Sequence, residues 1–192
     1  SKKLSSRVIS GTKSQAKGKS VAMISSIRDE YLVNLQKLRK KYEDKLRKWL
    51  YLNIMTVLVK NLGNGIKNVK INDPKSYNSL TFATLNLLLK TFQKMDKDNS
   101  TRVIILEGVG KGFSAGHNLK EVRGLKKRSK YLKLFNLCSK LMIQIVEGRK
   151  PVIAKVHGAA YAAGCQLVAS CDLAYSTNDA IFATPGVNIG LF

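Results

Sequence analysis

The sequence has few of the residues that build metal centres and disulfide frameworks. It contains three cysteines and two histidines among 192 residues, and none of them falls into a CxxC or His/Cys/carboxylate spacing that suits a metal ion. Cys138, Cys165 and Cys171 lie in apolar runs, which predicts free, buried thiols in a reducing compartment. We therefore expect neither a metal site nor structural disulfide bonds.

Acidic residues are also scarce, and long hydrophobic runs are missing. The chain has 12 Asp and Glu residues against 34 Lys and Arg residues, a formal net charge of +22. This excess favours anionic partners such as nucleic acid, acidic lipid or a phosphate-bearing ligand, although a lysine-rich proteome would produce the same balance. No apolar run approaches the roughly 20 residues of a membrane span, while a hydrophobic content of 44% suffices for a folded core.

The N-terminal residues 1–54 differ in composition from the rest of the chain. Residues 1–28 are rich in serine and basic residues, and no acidic residue precedes Asp29; this composition is typical of an organelle-targeting segment or of a disordered basic tail. From Asp29 to about Leu52, apolar residues recur at helical spacing and predict a basic amphipathic helix that docks on a domain, pairs with another helix, or lies on RNA or a membrane. We expect 1–54 to be a basic N-terminal extension and 55–192 to be the folded domain.

The pattern after residue 54 alternates between strands and helices. A hairpin of 55–59 and 66–71 with a loop over 61–65 is followed by a helix that Asn78 or Ser79 begins, a buried strand over 102–106, and a second helix that buries an apolar face. The inward faces predicted for the two helices are Leu85, Leu88, Phe92 and Met95 in the first, and Leu132, Phe135, Cys138, Met142 and Ile145 in the second. Such alternation predicts βαβ units and a largely parallel sheet.

The remainder of the chain is organised around the stretch from Pro151 to Gly190. An apolar strand over 152–156 is followed by a turn rich in glycine and alanine, by a short helix containing Leu167 and Val168, and by another strand over 172–175. Small residues at a strand-to-helix turn bring free backbone N–H groups to a helix N-terminus, which suits an anion or a developing oxyanion, although they also simply let a helix pack close to a sheet. The segment GKGFSAGHNLK, residues 110–120, makes a second junction of this kind.

Several ordered motifs together resemble one known family. FSAGHNLKE, PVIAKVHGAA, AGCQLVASCDLA and FATPGVNIGLF are similar to segments of the crotonase superfamily of enoyl-CoA hydratases and isomerases, and within it to the mitochondrial enoyl-CoA hydratase domain-containing proteins. The resemblance covers roughly Met55 to Phe192. It implies an α/β fold, the crotonase-like (ClpP/crotonase) spiral of βαβ units, which is incomplete at the C-terminus because the family fold continues past GVNIGLF into helices that complete the acyl pocket and a homotrimer.

The resemblance also implies an acyl-CoA thioester as the substrate, with no separate cofactor. The backbone N–H groups of His117 and Ala163 stand where the family stabilises an enolate oxygen. Ala163 occupies a position where the family often has glycine, so we expect the site to require a backbone angle that alanine tolerates. Ala115 and Lys120 are the expected coenzyme A contacts. As point charges, Lys120 and the nearby cations are candidates for its phosphates, and a solvated basic face is the alternative for each of them: Lys111, Lys126, Lys127 and Arg128.

The acid/base residues of the family's hydratases are replaced in this sequence. Gln166 and Gly186 stand at the positions of the two family glutamates, and neither residue type can take up and return a proton. The sequence therefore predicts an acyl-CoA-binding protein that is weak or inactive as a hydratase. The alternatives are an acyl-CoA decarboxylase-like activity, which the SAGH motif favours, and a non-catalytic RNA- or membrane-associated relative. The interpretation of His117 as a backbone donor leaves its imidazole without an assigned role, and we expect His157 and Asp172 to be structural.

The resemblance and the composition of the N-terminus also predict where the protein is located. The resemblance to mitochondrial proteins and the basic, serine-rich N-terminus favour a mitochondrion or another organelle. A cytoplasmic protein is the alternative.

Overall fold

The computed structural model describes residues 26, 29–30, 32–47 and 55–189, with only the backbone of Ile189. The chain divides between Asn53 and Ile54 into two units. In the first unit, residues 32–47 form helix α1 with every side chain exposed, including the predicted apolar positions Leu32, Leu35, Leu38, Tyr42 and Leu46. The predicted targeting segment, apart from residue 26, lies outside the described residues, as do Trp49 and Leu50. No helix in the described ranges is long and apolar enough to cross a membrane.

The described residues of the second unit contain two β-sheets, built from the strands β1 Val57–Gly63, β2 Ile66–Ile71, β3 Val103–Gly108, β4 Gly112–Ser114, β5 Val152–Val156, β6 Ala159–Tyr161, β7 Leu173–Ser176 and β8 Ile181–Ala183. The larger sheet has the order β1-β2-β3-β5-β7, and the smaller sheet has the order β4-β6-β8. All pairs of neighbouring strands are parallel except β1 and β2, which form an antiparallel hairpin.

The helices lie between these strands in the sequence, as βαβ units require. They are α2 Phe82–Lys97, α3 Leu119–Gly124, α4 Arg128–Val146 and α5 Ala163–Ala169, with short 3₁₀ helices at Pro74–Ser76 and Pro185–Ile189. The predicted α/β architecture with a largely parallel sheet is confirmed. α3 is a separate short helix that the sequence pattern did not distinguish from the neighbouring loop.

The helix faces that form the core match the prediction for α2 but only partly for α4. In α2 the buried apolar residues are Leu85, Leu88, Phe92 and Met95, as predicted. In α4 the inward positions of Leu132 and Phe135 were predicted wrongly, because their side chains are 46% and 41% exposed. The helix instead buries the stripe of Leu134, Cys138, Leu141 and Ile145. Apolar residues lie on two sides of α4, so their spacing alone does not identify the buried side.

Two local predictions are corrected by the backbone geometry. The hairpin turn consists of Asn64 and Gly65, with φ of +51° and +79°, rather than five residues. Two positive φ angles are typical of the tight turn that matches the twist of a hairpin. Helix α2 begins after Thr81, whose hydroxyl accepts a hydrogen bond from the Thr84 N–H at 3.0 Å, and not after Asn78 or Ser79.

Asn78 has a different role, because it joins two loops near the strand ends. Its side chain is fully buried, and its Nδ2 donates hydrogen bonds of 2.8 Å to the carbonyl oxygens of Val109 and Gly112. Its Oδ1 accepts a hydrogen bond of 2.9 Å from the Asp73 N–H. These bonds satisfy buried backbone groups and fix the loop that leads into β4.

Candidate functional site

The loop between β4 and α3 carries His117 in a short stretch paired with Leu80. The Leu80 N–H donates to the Gly116 carbonyl at 2.7 Å, and the Asn118 N–H donates to the Leu80 carbonyl at 3.4 Å. In such a parallel bridge the N–H of the central residue points away from its partner. Within the described part of the chain, no backbone acceptor binds the His117 N–H.

The first turn of α5 carries Ala163. Ala162, the residue before the helix, has φ +47° and ψ −120°, a conformation that favours glycine. Its position is fixed on both sides, because its N–H donates to the Ala183 carbonyl at 2.8 Å and its carbonyl accepts from the Gln166 N–H at 3.0 Å. The unusual angle therefore belongs to Ala162, whereas Ala163 is helical. The Ala163 N–H, at the first helical position, has no acceptor in residues 55–189.

Two glycines allow this loop and α5 to approach each other closely. A Cβ atom added at Gly164 would lie 2.4 Å from the Ser114 carbonyl oxygen. A Cβ atom at Gly116, which has φ +83°, would lie 2.8 Å from the Tyr161 carbonyl oxygen and 3.1 Å from the Ala163 nitrogen. The two segments thus pack backbone against backbone, and this contact brings the loop of His117 to the first turn of α5.

A cavity of about 430 Å³ opens at this junction. Its lining includes His117, Ala163, Gln166 and Gly186, the four positions that the sequence singled out for catalysis, together with the predicted coenzyme A contact Ala115. The cavity is also lined by residues that the sequence pattern does not single out: Leu119, Phe135, Cys138, Ser139, Ala162 and Pro185. Phe135, Cys138 and Ser139 stand three and four positions apart on α4, so helical spacing was the available signal.

Lys120, the other predicted coenzyme A contact, does not line this cavity. It lies in α3 with an exposed side chain. The other predicted phosphate contacts are also exposed and lie outside the lining: Lys111, Lys126, Lys127 and Arg128.

The described lining of the cavity contains no Asp, Glu, Lys or Arg side chain. Its titratable side chains are His117 and Cys138. Burial lowers the pKa of His117, and the Leu80 backbone and the Glu121 carboxylate act in the opposite direction. Burial raises the pKa of Cys138 to about 11, so this thiol stays protonated at neutral pH and is a poor nucleophile.

The His117 ring is held by its surroundings. It meets the Phe135 ring edge to face, with centroids 5.2 Å apart and planes at 89°. Its Nδ1 is buried and has no hydrogen-bond partner among the described residues. An unpartnered Nδ1 is unusual, because buried polar atoms are usually hydrogen-bonded.

Two further residues singled out by the sequence bond to the backbone outside the cavity. His157 donates a hydrogen bond of 2.7 Å from its Nε2 to the Gly110 carbonyl oxygen. The Asp172 carboxylate accepts a hydrogen bond of 2.8 Å from the Val152 N–H, which ties the start of β5 to the residue before β7. The three cysteines are free, and the described residues contain no cluster of side chains that would hold a metal ion.

Comparison with known proteins gives consistent matches over the second unit. Residues 61–192 match the family model described as Enoyl-CoA hydratase/isomerase. The human mitochondrial enoyl-CoA hydratase domain-containing protein 3 is 45% identical over 129 residues, which is 67% of this chain and 43% of that protein. The chain thus spans less than half the length of this relative.

Solved structures give the same result for the fold. An enoyl-CoA hydratase from Mycobacterium smegmatis superimposes with a TM-score of 0.70 at 45% identity, over 72% of this chain and 54% of that chain. The crystal structure of the human domain-containing protein 3 superimposes with a TM-score of 0.68 at 42% identity, over 71% and 53% of the two chains. The predicted crotonase-like fold is confirmed.

Proposed function

Because this chain belongs to the enoyl-CoA hydratase/isomerase family, we propose that its cavity binds the acyl group of an acyl-CoA thioester. The thioester oxygen would accept hydrogen bonds from the backbone N–H groups of His117 and Ala163. The observation that carries this proposal is that two backbone N–H groups without an acceptor in the described residues belong to residues that line one cavity.

The physical argument rests on where charge develops during the reaction. An enolate formed from a thioester places negative charge on the carbonyl oxygen, and fixed N–H donors in a water-poor site stabilise that charge by about 3–4 kcal/mol each. The backbone contacts at Gly116 and Gly164 hold the two segments without flexible side chains. The donors are therefore fixed before the ligand arrives.

We propose further that hydration is weak in this protein. A hydratase must deliver water and move protons, and general acid/base groups contribute about 10²–10⁴-fold to such steps. Gln166 and Gly186 line the cavity where the family resemblance places glutamates, and no carboxylate lines it in the described residues. Chemistry that needs mainly an oxyanion hole, such as decarboxylation or proton transfer beside the thioester, remains compatible with this lining.

Location and assembly belong to the same proposal. The relatives from human, frog, rat, mouse and zebrafish are named as mitochondrial, which supports a mitochondrial location for this chain. We also propose self-association, as the family resemblance implies.

Titration of the ¹⁵N-labelled chain with butyryl-CoA tests the proposed donors. The amide proton signals of His117 and Ala163 should move downfield as the thioester oxygen binds, whereas the amide of Gly124, which lies outside the cavity lining, should not move. Free coenzyme A lacks the thioester carbonyl group and serves as the matched control ligand. Saturation by butyryl-CoA without movement of either signal, or an equal response to free coenzyme A, would contradict the proposal.

RNA binding through the first unit is a second candidate function. The side chains of α1 are all exposed, and six of its residues are basic: Lys37, Arg39, Lys40, Lys41, Lys45 and Arg47. Binding to phosphates through such residues falls steeply with salt. An RNA complex that persists after deletion of residues 1–54, or that ignores salt, would exclude this helix as its site; competition by free coenzyme A would place RNA at the second unit instead.

A further inference from the structure

Helix α1 carries apolar side chains to which neither acyl-CoA binding nor RNA binding gives a role. The helix lies outside residues 61–192, which match the family model, so the family domain does not account for it. Five large apolar side chains of α1 are between 42% and 64% exposed: Leu32, Leu35, Leu38, Tyr42 and Leu46. Large apolar side chains that are exposed side by side mark an interaction surface more often than single ones do.

The five side chains share one side of the helix. Their spacing of three and four residues places them within an arc of about 120°, which we call the apolar stripe. One charged residue falls within this arc, Arg39, whose Nε donates a hydrogen bond of 2.9 Å to Oε1 of Glu43. A long arginine side chain at such a position keeps its stem on the apolar surface and its charged end in water. The stripe is therefore continuous along α1.

The rest of the α1 surface is cationic. Residues 32–47 contain six basic side chains and two acidic ones, a net charge of +4. Five of the basic residues lie outside the apolar stripe: Lys37, Lys40, Lys41, Lys45 and Arg47. Val33 is the remaining apolar residue of this range and lies on the opposite side of the helix from the stripe. A partner of α1 must therefore suit an apolar side and a cationic side at once.

RNA and a second copy of α1 each suit only one of these sides. RNA phosphates bind the cationic side and leave the five large apolar side chains in water. A second α1 covers the apolar stripe but brings together two helices that each carry a net charge of +4 over 16 residues, a length that is short for a coiled coil. The surface of an anionic bilayer suits both sides, because apolar side chains enter the acyl boundary while lysines meet headgroup phosphates.

We propose that α1 binds the surface of a membrane that contains anionic lipids, with the helix axis in the plane of the bilayer. The apolar stripe enters the boundary between headgroups and acyl chains, and the basic side chains contact the lipid phosphates. Six basic side chains within 16 residues keep the helix on the bilayer rather than across it. This inference goes beyond the proposed acyl-CoA function and does not rest on it.

Sedimentation of the full 192-residue chain with lipid vesicles measures this binding. Vesicles of phosphatidylcholine with about 30% phosphatidylglycerol supply the negative charge, and vesicles of phosphatidylcholine alone are the reference. Binding to the anionic vesicles should be stronger by at least about tenfold at physiological salt. Basic segments elsewhere in the chain also attract anionic lipid, so substitutions within α1 assign the binding to this helix.

Leu38→Ala tests the apolar stripe. Alanine keeps the propensity for helix but removes apolar area that would enter the lipid, so binding to the anionic vesicles should weaken by about tenfold. Adding Leu35→Ala should weaken it further by a similar factor. Val33→Ala is the matched control, because Val33 and Leu38 are both 47% exposed but lie on opposite sides of α1. Val33→Ala should bind the vesicles within about twofold of the unchanged chain.

The cationic side is tested by Lys40→Gln combined with Lys41→Gln. The loss of two charges should weaken binding to the anionic vesicles by about tenfold or more at low salt, and by much less at high salt, which screens the attraction. Binding to pure phosphatidylcholine should not change. Every α1 variant should keep the affinity of the unchanged chain for butyryl-CoA, whose proposed site lies within residues 55–189, and this measurement controls for damage to the fold.

The remaining outcomes would each overturn the inference. Failure of the unchanged chain to bind anionic vesicles would do so directly, and equal losses in Leu38→Ala and Val33→Ala would show adsorption by charge alone. Self-association without lipid that Leu38→Ala abolishes and Val33→Ala preserves, measured by analytical ultracentrifugation, would assign the stripe to a second copy. RNA binding that Leu38→Ala leaves unchanged, in a chain that binds no vesicles, would assign α1 to RNA.

Discussion

The cavity between the β4–α3 loop and the first turn of α5 and a charged row across the larger sheet use polar groups in opposite ways. In the row, Lys70, Glu107 and Lys155 stand in register on β2, β3 and β5. Glu107 is only 8% exposed, and its carboxylate lies 2.5 Å from the Lys70 ammonium and 3.3 Å from the Lys155 ammonium. In the cavity, the backbone N–H groups of His117 and Ala163 have no acceptor among the described residues.

The comparison separates a structural site from one prepared for a ligand. Burial alone would raise the pKa of Glu107, but the two lysines outweigh it and hold the pKa below its ordinary value. Each oxygen of the Glu107 carboxylate is therefore paired with a neighbouring lysine. The cavity has the reverse arrangement, with donors held in place by glycine contacts and no carboxylate among the described residues that line it. Three changes test this difference: carboxylates introduced into the cavity, a Cβ atom added at its backbone contact, and removal of the Glu107 carboxylate from the charged row.

The largest expected effect comes from placing carboxylates in the cavity. The double variant Gln166→Glu and Gly186→Glu introduces groups that exchange protons with water, and hydration of crotonyl-CoA should increase by at least about 10²-fold over a low starting rate. The loss of absorbance of the conjugated thioester measures the reaction. Gln93→Glu adds a carboxylate on the exposed face of α2 and should change nothing.

Hydration of crotonyl-CoA by the unchanged chain tests the same prediction. Robust hydration by the chain itself would mean that its acid/base groups lie elsewhere than at residues 166 and 186.

The next effect comes from disturbing the backbone contact on which the cavity depends. Gly164→Ala places a Cβ atom 2.4 Å from the Ser114 carbonyl oxygen, and backbone cannot move aside as a flexible side chain does. We expect a loss of about 2–3 kcal/mol in the free energy of unfolding, together with loss of butyryl-CoA binding. Urea unfolding measures the first and calorimetric titration the second.

Gly124→Ala is the matched control for this substitution, because an added Cβ atom at Gly124 meets no atom within 4 Å. Its free energy of unfolding should stay within about 0.5 kcal/mol of the unchanged chain. Equal stability of the two variants would show that the contact at Gly164 relaxes without cost.

A smaller effect is expected when the charged row loses its carboxylate. Glu107→Gln leaves Lys70 and Lys155 without their shared negative charge, at a cost of about 1–2 kcal/mol at neutral pH, moderated because both lysines reach water. The folded pKa lies below the ordinary 4.5, so this stabilisation is present above that value and is lost as the pH falls through the folded pKa. The difference in unfolding free energy between the two proteins should therefore vanish in acid.

Glu147→Gln, at the exposed end of α4, is the control that should leave stability unchanged at every pH. A difference between Glu107→Gln and the unchanged chain that persists once the pH lies well below the folded pKa of Glu107 would point to altered packing rather than charge.

The smallest effect concerns the edge of the site. Lys120 is exposed beyond the cavity lining, and an exposed contact with a coenzyme A phosphate is worth about 1 kcal/mol or less. Lys120→Gln should therefore weaken binding of both free coenzyme A and butyryl-CoA by about two- to fivefold at low salt, with no loss at high salt. Lys60→Gln, on the exposed part of β1, should have no effect, and an equal loss in both variants would remove Lys120 from the phosphate site.

Much of the fold was determined by local sequence. The apolar run over 152–156 became β5, and the spacing of Leu85, Leu88, Phe92 and Met95 gave the buried face of α2. Small residues between strands and helices marked the two junctions that line the cavity. These features depend on side-chain periodicity and on the room that glycine and alanine leave, both of which are visible within a few residues.

Only the tertiary structure decided which of several possible local arrangements is realised. Phe135 had the spacing of a core residue, yet its ring meets His117 at the cavity, because helix α4 presents apolar residues to two different neighbours. The left-handed angle fell on Ala162 rather than Ala163, since hydrogen bonds to Ala183 and Gln166, one of them distant in sequence, fix that peptide. The sequence determined the elements through local periodicity, whereas the tertiary structure decided the site through contacts between residues far apart in the chain.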